Sequence, residues 1–174
     1  MDASEQEARF REWLARHTGL LLKVVRSFAE GTADADDLLQ EILLQVWMSL
    51  PNFREQSKPT TWLYRVALNT ALAWKRRENK HRKHRQTLDV VTEVMDASTA
   101  MGDPHADREA IEQLYAAVRS LAAAKRALVL LYLDGLSYAE MAEVTGLTES
   151  NVGVRLTRIK KELAAALKVP THVA

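Results

Sequence analysis

Apolar side chains recur at three- and four-residue spacing through most of this chain, and that spacing restricts it to packed helices. One stripe runs from Phe10 to Phe28, and another runs from Val152 to Leu163. Residues at this spacing lie on one face of an α-helix, so each stripe must be buried against another helix. Alternation with a period of two, which would indicate β-strands, does not extend over a useful length. The pattern therefore predicts an all-α protein.

Capping residues and helix breakers predict where the first helices begin and end. Ser4 and Glu7 have the spacing of a capping box for the first helix, and Asp34 is suited to cap the second. Pro51 should stop the second helix, and the third should begin near Thr60.

Two short capped helices separated by a glycine stand near the end of the chain. Ser137 and Glu140 form a capping box, Gly146 is placed to turn the chain, and Thr148 is placed to cap the last helix. This spacing is typical of a helix-turn-helix, here over residues 138–161, whose second helix enters the major groove of DNA.

The middle of the chain loses its helical periodicity for about twenty residues, a length that argues against one compact domain. This stretch is acidic and contains Gly102 and Pro104. We therefore predict two small helical domains, 1–86 and 107–174, joined by a flexible acidic linker, 87–106. On its residues alone, the linker is a tether that keeps the two domains near each other.

Composition excludes several classes of function. The net charge is only +1, but seven cations fall within residues 75–85 while acids concentrate at 34–41, which suggests separate surfaces for separate partners. There is no cysteine, the five histidines form no convincing ligand pattern, and no catalytic constellation is visible. We expect no metal, no cofactor, no small-molecule substrate and no enzymatic activity.

The N-terminus is acidic and polar, unlike a secretory signal, and no apolar run approaches the roughly 18–20 residues of a membrane span. These features predict a cytoplasmic protein that is not itself inserted in a membrane.

Three segments in this order resemble the sigma-70 family of transcription factors. They are DADDLLQEILLQVW at 34–47, TWLYRVALN at 61–69 followed by the basic run, and the helix-turn-helix at 138–161. Over nearly the whole chain, the resemblance is to sigma factors of the extracytoplasmic-function type. It implies a protein that binds core RNA polymerase, directs it to promoters with −10 and −35 elements, and promotes DNA melting.

The resemblance also implies a set of partners and contact residues. An anti-sigma factor, often membrane-bound, is expected to cover the same surfaces and could hold the chain at the inner membrane. The segment DADDLLQE is similar to the one that binds the coiled coil of the polymerase's largest subunit, although such a stripe is otherwise an ordinary solvated face. The residues it implies for this contact are Asp37, Gln40, Glu41 and Leu44.

The third helix and the loop before it resemble the −10 reader of the family. Unstacked bases require a pocket, stacking side chains and cations along the backbone, and residues 52–58 are expected to form the pocket. Trp62 either acts as a wedge against the unstacked bases or belongs to the hydrophobic core. The expected −10 contacts are Asn52, Phe53, Lys58, Trp62, Asn69, Lys75, Arg76 and Arg77.

The last helix resembles the −35 reader. Its expected DNA contacts are Ser150, Asn151, Val154, Arg155, Arg158 and Lys161. Gly153 and Val154 depart from the family, which usually has Lys or Arg and then Ser at these positions, and Val154 is suited to pack on a thymine methyl group. Ala73 replaces a common aspartate.

Two other functions are compatible with parts of the chain. A stand-alone helix-turn-helix regulator would explain the C-terminal half, but it would leave the acidic helix and the basic run without a role. A sigma-like decoy or adaptor would bind polymerase without initiating transcription, and Gly153 and Val154 are compatible with it.

Overall fold

A computed structural model describes residues 2–86 and 105–168, and all of its regular structure there is helical. The chain divides into two compact units, residues 1–99 and 100–174, so the all-α architecture with two helical domains is confirmed. Most of the predicted linker, 87–104, lies outside the described residues. We call the described parts the N-terminal unit and the C-terminal unit.

The N-terminal unit is built from three helices and a short 3-10 turn. Helix α1 spans Ala3–Phe28, α2 spans Thr32–Ser49, and α3 spans Pro59–Gln86, with the 3-10 turn at Leu50–Asn52. The three α-helices pack on one another. Their shared core includes Trp13, Leu21, Val24, Phe28, Leu38, Ile42, Val46, Leu63 and Ala67.

Two predicted helix caps in this unit are wrong. The capping box of α1 is formed by Asp2 and Glu5, two residues earlier than predicted, because the helix already begins at Ala3. Helix α2 is capped by Gly31 without a side-chain bond, which places Asp34 inside the first turn. There its carboxylate favours the helix through the positive N-terminal dipole instead of a capping hydrogen bond.

The C-terminal unit contains four helices. Helix α4 spans His105–Ser120, α5 spans Ala123–Leu133, α6 spans Tyr138–Thr145, and α7 spans Glu149–Lys168. Helix α7 packs against the other three. Its buried stripe of Val152, Leu156 and Ile159 was predicted from the sequence and is confirmed.

The turn between α6 and α7 has the predicted chemistry. Ser137 and Glu140 form a capping box, and Gly146 ends α6 at φ 71° in the left-handed region. Thr148 accepts a hydrogen bond from the Asn151 amide at 3.3 Å, so it caps α7. These caps fix the angle at which α7 leaves the turn.

Two large side chains of the C-terminal unit are exposed although they lie on helices that pack. Ile111 in α4 is 47% exposed, and Tyr132 at the end of α5 is 40% exposed. By contrast, Arg126 is buried, and its guanidinium donates to the backbone carbonyl oxygens of Arg119 and Leu121. An arginine in this role satisfies carbonyls at the end of α4, where helix hydrogen bonding stops.

Candidate nucleic-acid and partner interfaces

The outward face of α2 combines acidic, amide and apolar side chains. Its buried stripe faces the core, so Asp37 and Gln40 are exposed on the other side. Leu44 and Met48 lie one turn apart along the same side and are 54% and 62% exposed. These two apolar side chains lie beside the exposed acidic and amide groups of the same helix. This face can therefore offer both charge complementarity and apolar area to another protein.

Glu41 differs from its neighbours on α2 because it already has a cationic partner. The Arg77 guanidinium donates to both Glu41 carboxylate oxygens, at 2.5 and 2.6 Å. The Glu41 side chain is 28% exposed and the Arg77 side chain is 56% exposed, and the pair joins α2 to α3. A residue predicted to contact polymerase is thus paired with one predicted to contact DNA.

Lys75 is buried, although the sequence places it within the basic run. Its ammonium forms ion pairs with Glu30 and with Glu78, the latter at 3.1 Å, and the side chain is only 8% exposed. It also lies 5.8 Å from the centre of the Trp74 ring. Its burial between two carboxylates makes Lys75 a structural residue of the N-terminal unit. The predicted contact between Lys75 and the DNA backbone requires an exposed cation, and Lys75 is not exposed.

The exposed polar surface of α3 lies on its outer side. Asn69 and Arg76 are both exposed there, two turns apart along the helix. In the loop that precedes α3, Asn52 and Lys58 are also exposed. These four residues remain suitable for contact with an extended nucleic-acid strand.

Three aromatic rings cluster where α1, the loop and α3 meet. Trp13 and Phe53 lie 5.0 Å apart between ring centroids, and Trp62 lies 5.5 Å from each of them. All three pairs are edge-to-face, an arrangement that stabilises a cluster beyond the area it buries. Trp62 is half-buried, so it contributes to packing and also presents part of its ring at the surface.

A depression of about 640 Å³ opens beside this cluster. It is lined by Glu5, Ala8, Arg9, Glu12, Pro51 and Phe53. Within the segment predicted to form the pocket, 52–58, Phe53 is the residue that lines this depression, and α1 supplies most of the remaining lining.

The loop beside the depression has an unusual backbone and a side-chain bond that holds it. Glu55 has φ 58°, a left-handed conformation that non-glycine residues rarely adopt. Its carboxylate accepts from the Arg9 guanidinium at 3.1 Å, which ties the loop to α1.

The outward face of α7 carries the predicted DNA contacts. Exposed side chains there are Ser150, Asn151, Val154, Arg155, Arg158 and Lys161. The first two turns of the helix contribute small polar groups and Val154, whereas the cations lie further along. This order suits a helix whose N-terminal end meets base edges while its later turns meet phosphates.

Tyr138, which the sequence did not single out, lies against this helix. A Cβ atom placed on Gly153 would be 3.3 Å from Cε2 of the Tyr138 ring, so the ring occupies space that a side chain would need. Further along α7, the Tyr132 side chain raises the pKa of Lys160, whose ammonium lies 3.9 Å from the centre of the Tyr132 ring.

Neither a metal site nor a membrane span is found in residues 2–86 and 105–168. No three His, Asp or Glu side chains of this part of the chain are grouped so that they could hold a metal ion. Every helix described is too short or too polar to cross a bilayer.

Comparison with known families matches each unit to a different region of one protein family. Sigma-70 region 2 matches residues 6–81, and sigma-70 region 4 matches residues 111–163. The two regions follow one another in the same order as the two units.

Curated relatives align along nearly the whole chain. The RNA polymerase sigma factor CnrH of Cupriavidus metallidurans is 30% identical over 176 residues, which cover 95% of this chain and 90% of the relative. The ECF RNA polymerase sigma factor SigM of Mycobacterium tuberculosis is 28% identical over 158 residues, covering 91% of this chain and 76% of the relative.

Two solved structures share the fold. One is the sigma factor RpoE in complex with the anti-sigma factor NepR from Bartonella quintana, with a TM-score of 0.75 and 21% identity over 93% of this chain and 98% of that one. The other is CnrH in complex with the cytosolic domain of CnrY, with a TM-score of 0.67 and 23% identity over 95% of this chain and 91% of that one.

Proposed function

The chain belongs to the sigma-70 family as an RNA polymerase sigma factor of the extracytoplasmic-function type, and from that premise we propose how its surfaces divide the work. Sigma factors direct transcription initiation and are not enzymes. In the proposal, α2 binds core polymerase, the loop and α3 hold the −10 strand, and α7 reads the −35 element. The observation that carries it is the exposure of most of the expected contact residues on these helices and on the loop.

Core polymerase binds the outward face of α2 through Asp37, Gln40 and Leu44. Their charge and apolar area suit a basic, partly apolar partner surface, and acidic groups also speed docking by steering. Glu41 contributes less, because its charge is already offset by Arg77.

Charge reversal tests this interface while leaving the Glu41–Arg77 pair intact. We expect Asp37→Lys with Gln40→Lys to weaken binding to core polymerase by tenfold or more, measured by fluorescence titration. The control is Glu7→Lys on the exposed surface of α1, outside the proposed base pocket, which should not change the affinity. Equal affinity for wild type and the α2 variant would contradict the assignment of this face.

The −10 strand is held between the loop and α3. We propose that an unstacked base enters the depression beside Phe53, while Trp62 abuts the neighbouring base step. Asn52, Lys58 and Asn69 supply polar contacts, and Arg76 lies along the phosphates. Support comes from the aromatic cluster, because a half-exposed ring offers a stacking surface next to a cavity.

Helix α7 reads the −35 element through the exposed residues of its first turns, with Arg155, Arg158 and Lys161 at phosphates or guanine edges. Arg158→Ala should lower initiation from promoters that depend on the −35 element by about tenfold. Lys160→Ala is the control, because that cation lies over the Tyr132 ring. Unchanged initiation with Arg158→Ala would assign the readout to another residue.

An anti-sigma protein is the proposed regulator, acting in the cytoplasm by covering the α2 face and the helix-turn-helix. Support comes from the two structural neighbours. One was solved in complex with the anti-sigma factor NepR, and the other in complex with the cytosolic domain of CnrY. If this is correct, a purified regulator should compete with core polymerase for the chain, and Asp37→Lys should change its affinity as well.

Reconstituted transcription tests the whole proposal. The chain is mixed with core bacterial polymerase and a pool of genomic promoter fragments, and the transcripts are sequenced. Discrete start sites that share two spaced upstream elements are expected. Polymerase binding without initiation would identify a decoy, and tight operator binding by a homodimer without polymerase would identify a stand-alone regulator.

A further inference from the structure

The side of α7 that begins at Gly153 has an unusual surface. Gly153 has no side chain. The Tyr138 ring from the start of α6 lies beside it, and a Cβ atom on Gly153 would be 3.3 Å from Cε2 of that ring. Gly153 is helical and needs no special φ, so backbone geometry does not require glycine here. What the absence of a side chain provides is room for the ring.

Val154, the next residue, is apolar and 50% exposed, and Tyr138 is 41% exposed. Both belong to the part of a helix-turn-helix that approaches DNA, since Val154 lies in the second turn of the recognition helix and Tyr138 opens the helix before it. The valine follows the glycine along α7, and the aromatic ring lies beside the same glycine. We call these three residues, none of which is charged, the uncharged edge.

None of the three residues is itself a cation. Lys160, two turns after Gly153 on the same side of α7, lies over the Tyr132 ring. Arg155 lies on the opposite side of the recognition helix from Gly153, whereas Arg158 follows Val154 one turn further along the same face. Tyr138, Gly153 and Val154 thus carry no cationic donor of the kind that selects guanine, and Arg158 remains available one turn further along.

We propose that Tyr138, Gly153 and Val154 together form a specificity edge that selects thymine by its C5-methyl group in the −35 element. Thymine is the base that presents an apolar group in the major groove, and small apolar or aromatic side chains contact it. The inference rests on the proposed −35 function of α7 and adds the base that these three positions select.

Selection followed by methyl removal tests the inference. Holoenzyme made from the full chain and core polymerase selects promoters from a library whose −35 element is randomised. We expect thymine at one or more selected positions. Replacing that thymine by uracil should weaken wild-type binding by about fourfold, the effect expected for one buried methyl group.

Substitutions in the edge test whether these three residues are responsible for the preference for thymine over uracil. Val154→Ser and Tyr138→Ala should each reduce the thymine-to-uracil ratio to less than about twofold, whereas Tyr138→Phe, which keeps the ring, should retain it. Gly153→Lys needs the space of the ring and introduces a donor, so the selected base should change from thymine toward guanine. Thermal unfolding of each variant checks that the unit remains folded, and Val154→Ser provides a test even if Tyr138→Ala unfolds.

Two outcomes overturn the inference while leaving the −35 function intact. One is promoter selection with no thymine preference in the −35 element. The other is a thymine-to-uracil ratio that stays the same in Val154→Ser and in Tyr138→Phe and Tyr138→Ala alike. Absence of any promoter selection by the wild-type holoenzyme would instead contradict the proposed function itself.

Discussion

Individual residues show where local sequence reasoning succeeds and where it fails. Exposure along α7 follows from the helical period, so the outward positions of Val154, Arg158 and their neighbours could be predicted without a structure. The burial of Lys75 could not, because it depends on Glu30, which lies 45 positions away along the chain. A run of cations in a sequence does not reveal which member faces an acid in the fold.

Substitution should therefore affect a different property at each of the two adjacent cations, namely stability at Lys75 and DNA binding at Arg76. Lys75→Met should lower the free energy of unfolding by about 1–3 kcal/mol, since it leaves the Glu30 and Glu78 carboxylates without their cation at a partly buried site. Arg76→Met, at an exposed position, should leave stability within about 0.5 kcal/mol but weaken binding to −10 strand DNA. Chemical denaturation and strand-binding titrations distinguish the two, and similar stability for both variants would contradict the structural role of Lys75.

The ends of the helices could be predicted from the sequence only in part. The caps of α6 and α7 were predicted correctly, because Ser137, Gly146 and Thr148 are flanked by a clear change from polar to periodic sequence. At the start of α1, two overlapping pairs have capping-box spacing, Asp2 with Glu5 and Ser4 with Glu7, and the pattern alone does not choose between them.

Glycine substitutions test whether the turn between α6 and α7 requires its conformation. Gly146→Ala should lower the stability of the C-terminal unit by about 1 kcal/mol, because alanine is strained at φ 71°. Gly19→Ala, at an open site within α1, should instead raise stability by about 0.5–1 kcal/mol through helix propensity. Equal effects of the two substitutions on denaturation midpoints would show that the turn tolerates alanine.

At the scale of the whole molecule, the sequence predicted two helical units correctly, because apolar periodicity stops and restarts along the chain. It could not predict the pairing of Glu41 with Arg77 or the packing of Tyr138 against Gly153. Both join side chains on two different helices, and their geometry depends on how those helices cross.

Because the two units have separate cores, we expect each unit to unfold independently of the other. All four tryptophans, at positions 13, 47, 62 and 74, belong to the N-terminal unit, so their fluorescence reports on that unit. Leu131→Ala creates a cavity in the other core and should cost about 2–5 kcal/mol there. We expect circular dichroism to show an earlier transition while the tryptophan transition stays in place, whereas a shift in both signals would show that the two units unfold together.

The pairing of Lys75 and Arg77 with carboxylates has a consequence for counterion release. The affinity of a protein for nucleic acid falls with salt in proportion to the number of phosphates that its cations neutralise. A lysine buried between Glu30 and Glu78, and an arginine bound to both oxygens of Glu41, displace few ions from a strand unless those pairs break. Of the three adjacent cations at 75–77, Arg76 alone is exposed without such a carboxylate pair among the described contacts, so the logarithmic salt dependence of −10 binding should be shallower than the sequence suggests.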